Sequence, residues 1–161
     1  MTAKPARGKT LAVITAGLVY FLLIFSLAFV MGVVRALVVA PRLGETTGVF
    51  LEIPILLIVS WLVARRLVRN RSFSVAQLIS VGAIALVMTM ISEAMLANLI
   101  RSQSTVQWAT ELLTPLGLVG LAGQLGFAIT PYFAGRPNAE ASERPRALRG
   151  PRLRPGFKAL K

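Results

Sequence analysis

The sequence contains no cysteine, no histidine and no aspartate, and its six acidic residues are all glutamates. Without Cys there are no disulfides and no thiolate chemistry. Without His there is no Ser-His triad, no imidazole haem ligand and no zinc-peptidase ligand pair. Charge is also scarce: Asp, Glu, Lys and Arg together make up 15% of the chain, where soluble domains sit near a quarter. In their place stand apolar residues, 55% of the 161, with a mean hydropathy of +0.71. This is the composition of a membrane protein, and one without the residue types most enzymes use.

Four apolar runs are long enough to cross a bilayer, which takes about 17–25 residues of helix. They cover residues 11–34, 48–64, 75–100 and 112–133. The first follows Lys4, Arg7 and Lys9, as a signal peptide would, but signal h-regions span only about 7–15 residues, so it reads as a retained span. The second includes Glu52 and Pro54, because starting it after Pro54 leaves too few apolar residues. Ser74 with Gln77 and Ser104 with Gln107 fit capping boxes that start helices. Trp108 suits an interfacial belt, and the last helix is expected to begin on the membrane surface and turn inward near Pro115.

An even number of spans puts both termini on one side. All but Arg35, Arg42 and Arg101 of the eighteen Lys and Arg fall on that side. The positive-inside rule therefore predicts cytoplasmic termini and a bacterial cytoplasmic (inner) membrane location. The expected fold is an all-α bundle of four transmembrane helices: a basic N-terminus over residues 1–9, the membrane domain over 10–134 and a disordered cytoplasmic tail over 135–161. The tail carries Arg144, Arg146, Arg149, Arg152 and Arg154 among four prolines, a composition that resists folding and favours anionic lipid or a protein partner. Phe157 is its one aromatic, which leaves nucleic-acid stacking without support.

Ionisable residues inside spans are costly and need a reason. Counting about 1.5 Å per residue from the basic end of each span, Glu52 lies about 18 Å up and Glu93 about 27 Å up. Arg35 and Arg101 reach a similar level, and Glu45 precedes Glu52 by two helical turns on the same face. Two readings follow. Arg35 with Glu52 or Glu93, and Arg101 with Glu93 or Glu45, form ion pairs that fix helix register. Alternatively, Glu52 and Glu93 exchange a proton or cation in a small transporter or channel. Pro54 strengthens the polarity there by leaving the Phe50 carbonyl without its helical donor.

Span four repeats glycine at Gly117, Gly120, Gly123 and Gly126, with Gln124 beside them. These positions suit close helix packing or contact with a second chain. Met88, Met90 and Met95 read as packing, and no metal ligands or cofactor motifs are evident. The expected function is that of a non-enzymatic accessory or assembly subunit, packing with itself or a larger membrane complex. A small transporter is the alternative.

Overall fold

The computed structural model describes residues 4–143, and these are almost entirely helical. Helix α1 covers Lys4–Val34 and passes through a π-helical turn, Arg35–Val39, into the short α2, Ala40–Leu43. Helix α3 is Glu45–Val68, α4 is Val75–Arg101, α5 is Thr105–Leu112 and α6 is Pro115–Glu143. Four segments are long and apolar enough to cross a membrane: Gly8–Leu43, Glu45–Val68, Val75–Arg101 and Pro115–Pro137. Their surface agrees, since Leu22, Val30, Ile58, Leu62, Val87 and Leu125 are all more than half exposed. A water-facing helix would bury such a stripe, whereas a lipid-facing one displays it.

Boundaries follow local chemistry. Ser74 accepts from the Gln77 N–H while Gln77 Oε1 accepts from the Ser74 N–H, and Ser104 and Gln107 repeat the arrangement. Both expected capping boxes are present, and the chain does turn near Pro115, but through a break between two helices, α5 and α6, rather than a bend within one. The first span differs from expectation. It does not end at Arg35: the π turn carries it to Leu43, and it stops at Gly44, whose φ of 83° only glycine adopts readily. The tail boundary also differs, because 135–143 continues α6 as helix. Tertiary burial outweighs Pro137 there: Gly135 sits against Leu78, and Ala139 is fully buried with Leu78, Val81, Val13, Val68 and Phe73. At the other end of the chain, helix already begins at Lys4, inside the stretch read as an N-terminal extension.

The long helices pack in the cyclic order α1, α3, α6, α4. Close approaches at glycine set the spacing. A Cβ on Gly82 would stand 1.8 Å from the Ala128 carbonyl oxygen, so α4 and α6 touch backbone to backbone. Gly17 of α1 takes the Ile84 side chain of α4 at 2.9 Å from where its Cβ would be. Small residues at such crossings are how membrane helices gain dispersion contact without a hydrophobic driving force.

Candidate functional site

The π turn of α1 packs against the start of α3, and this contact assembles the first polar cluster. Arg35 Nε donates to Glu52 Oε2 at 2.9 Å, and its Nη1 lies 3.3 Å from Glu45 Oε1. The Glu52 side chain is 14% exposed against 67% for Glu45, so one guanidinium links a sheltered acid to an open one. Gly48 makes this possible. It lies on the same face between the two glutamates, and a Cβ there would come within 2.7 Å of Arg35 Cγ and 2.9 Å of Cδ. The arginine stem thus runs through the notch left by the missing side chain. The expected pairing of Arg35 with Glu52 is present, that with Glu93 is not, and Glu45 joins on the same face as its two-turn spacing requires.

Arg101 behaves otherwise than expected. It pairs with Glu111 of α5 at 3.0 Å, not with Glu93 or Glu45. The turn after Ser102, which has a positive φ of 53°, folds α5 back so that Glu111 meets the end of α4. The Gln103 amide also donates to Glu111, and Asn98 Nδ2 donates to the Gln103 carbonyl at 3.2 Å. Glu111 was hidden in the sequence because the partnership depends on this reversal of direction.

Glu93 of α4 bonds instead to α6, accepting from Gln124 Nε2 at 2.6 Å. Gln124 Oε1 is buried without a partner. Neither Arg35 nor Arg101 forms an ion pair with Glu93. The acids of the spans therefore divide into two sites, one between α1 and α3 and one between α4 and α6. Among the described residues no group of three or more acidic side chains is placed to hold a metal ion.

The glycines of span four also separate. Gly123 faces Ile53 and Gly126 faces Leu57, at 3.2 and 3.0 Å from their Cβ positions, so both seat side chains of α3. Gly117 closes the α5–α6 turn, its Cβ position 2.1 Å from the Glu111 carbonyl oxygen. Gly120 alone has nothing within 4 Å of its Cβ position. A three-residue step of about 300° explains the division, because successive glycines point in different directions. The tail arginines Arg144, Arg146, Arg149, Arg152 and Arg154 lie outside the described residues.

A third polar site lies in the body of the bundle. Tyr20 of α1 is fully buried and reaches across the diagonal to α6, where its hydroxyl donates to the Phe127 carbonyl at 2.9 Å. Its ring stacks on Phe127 with centroids 4.7 Å apart. The reason is Pro131. Four residues after Phe127, it has no N–H to give, so the Phe127 carbonyl is orphaned and Tyr20 supplies the missing donor. Ser60 of α3 and Thr130 of α6 adjoin the same hydroxyl; Thr130 Oγ1 donates to the Gly126 carbonyl at 2.7 Å. The four-residue spacing of Phe127 and Pro131 is present in the sequence, but nothing there says which helix faces Phe127.

Comparison of the chain with protein-family models, curated proteins and solved structures returns no match.

Proposed function

We propose that this chain is a non-enzymatic integral membrane protein, an accessory or assembly subunit that packs with itself or with a larger complex. In this reading it sits in the cytoplasmic membrane with both termini inside, as the distribution of basic residues implies. The observation that carries it is the engagement of both membrane carboxylates within the chain: Glu52 by Arg35 and Glu93 by Gln124. Groups bonded in this way lock helices together, and breaking such a pair costs more than forming it gains. Internal pairing supports a scaffold, and the exposed apolar faces of α1 and α6 leave room for a neighbour. Gly120 is the glycine of α6 with nothing within 4 Å of its Cβ position, which leaves room for another helix to approach.

The test is recovery of the full chain in mild detergent with whatever co-purifies, followed by the same experiment on Gly120→Leu. A stable assembly that is lost in the variant, while the isolated bundle keeps its helix content and melting behaviour, supports the subunit reading. Gly123 is unsuitable for this purpose because it already seats Ile53.

A transporter reading draws on one specific feature. Glu52 and Glu93 lie on the two helices that flank α6. Proton-linked uptake in vesicles that vanishes in a folded Glu52→Gln variant would put that reading first.

A further inference from the structure

The arginines of the bundle divide into those the fold uses and those it leaves exposed. Where α1 meets α3 and α4 meets α5, Arg35 is bonded to Glu45 and Glu52, and Arg101 to Glu111. At the opposite end, the fold itself uses Arg71: it donates to the Ala12 carbonyl at 3.2 Å, and its guanidinium carbon lies 5.8 Å from the centre of the Phe73 ring. Arg65 and Arg66 in the last turn of α3 are exposed. Among the described residues neither has a carboxylate or hydrogen-bond partner. Their counter-charge must come from outside the described bundle.

What lies beneath them indicates its kind. Trp61 and Leu62, 42% and 55% exposed, stand four residues before Arg65 and Arg66 and so directly under them on the same faces. Leu62, Val63 and Arg66 line a groove of about 190 Å³. That is below the roughly 300–1,000 Å³ of pockets that enclose small molecules. A guanidinium at the edge of the apolar zone, with an apolar groove below it and a tryptophan alongside, fits a phosphate above an acyl chain. Guanidinium forks match phosphate oxygens two at a time, and tryptophan favours the headgroup level. A zwitterionic headgroup brings its own cation and neutralises two arginines poorly; an anionic one does not have that defect.

We propose that Arg65 and Arg66, with Trp61, Leu62 and Val63, form a binding site for an anionic phospholipid, headgroup on the arginines and chain in the groove. None of these residues belongs to the basic tail of the sequence. The site turns the end of α3 from a general surface charge into a seat for one lipid molecule.

Native mass spectrometry of the full chain tests this, with phosphatidylglycerol or phosphatidylcholine added at equal concentration to the detergent-solubilised protein. One phosphatidylglycerol should be retained in preference to phosphatidylcholine. Each arginine near a lipid surface is worth roughly a five-fold change in affinity, so Arg65→Gln with Arg66→Gln should weaken retention about thirty-fold. Leu62→Ser should weaken it without altering charge. Arg42→Gln, which removes an exposed arginine at the other end, should leave it unchanged. The double Arg→Lys variant should keep part of the binding, showing that the bundle remains folded when these positions change. Equal retention of both lipids overturns the proposal, as does wild-type retention in the double Gln variant. So does a loss in Arg42→Gln as large as in that variant. Wild-type retention in Leu62→Ser would leave a bare charge patch and overturn the groove. Displacement of the lipid by inorganic phosphate at low millimolar concentration would make the site one for a soluble anion.

Discussion

Replacing Tyr20 by Phe removes one oxygen and keeps the ring that stacks on Phe127, so it isolates the hydrogen bond to the Phe127 carbonyl. That carbonyl has no helical donor because residue 131 is proline. A buried acceptor left unmet costs about 1–3 kcal/mol in soluble proteins. Interhelical bonds in membranes average about 0.6 and reach about 1.7 kcal/mol. With Tyr20 wholly buried and residue 131 unable to donate, Tyr20→Phe should cost about 1–2 kcal/mol, near the upper membrane value. The decisive comparison is the same substitution in a Pro131→Ala background, which restores an N–H four residues from Phe127. There the cost should fall below about 0.5 kcal/mol, a coupling of about 1 kcal/mol. Pro131→Ala has its own cost, since the ring is fully buried, but that cost cancels in the cycle. Unfolding in mixed micelles at rising SDS fraction, followed by helical circular dichroism, measures all four proteins. An equal loss in both backgrounds would refute the argument that Tyr20 answers the proline.

Arg35→Gln and Glu52→Gln should each destabilise the bundle by about 1–3 kcal/mol, with the double change recovering part of the loss in the same titration. Gly48→Leu should mimic Arg35→Gln, because it pushes the arginine stem away from both glutamates; a neutral result would remove the notch from the account. Gly82→Ala should cost about 2 kcal/mol or more, since the Ala128 backbone must move, whereas Gly120→Ala should be neutral or stabilise by about 0.5–1 kcal/mol through helix propensity. Gln124→Leu, which strips Glu93 of its partner, should cost more than the double change Glu93→Leu with Gln124→Leu; the reverse order would show that the bond is not what holds Glu93 in place.

The spans, the two capping boxes and the turn near Pro115 are readable in the chain because each depends on neighbours within four residues or on a long apolar run. The common face of Glu45 and Glu52 likewise follows from their spacing. The partner of Arg101 does not, because Glu111 is reached only after the chain reverses at Ser102, and spacing does not distinguish Gly123 from Gly120 until the helix facing each is known. The end of span one is not legible because a π turn has no sequence signal comparable to a proline or glycine; Gly44, the residue that does end the helix, lies nine positions beyond Arg35. The helix over 135–143 is hidden for the opposite reason. Pro137 and the polar residues around it argue against helix, and only burial of Gly135 and Ala139 on Leu78 and its neighbours outweighs them.

Four long apolar helices and the lack of Cys, His and Asp are properties of the chain alone, fixed by run length and composition. The sequence also marks Glu52 and Glu93 as costly wherever they lie. Only the tertiary structure decided how that cost is met: Arg35 laid across Gly48 for the one, Gln124 of a different helix for the other. The same holds for the Phe127 carbonyl, orphaned by a proline four residues away and satisfied by a tyrosine more than a hundred residues earlier. Hydrogen bonds act over about 3 Å, and which groups come that close is settled by how the helices pack.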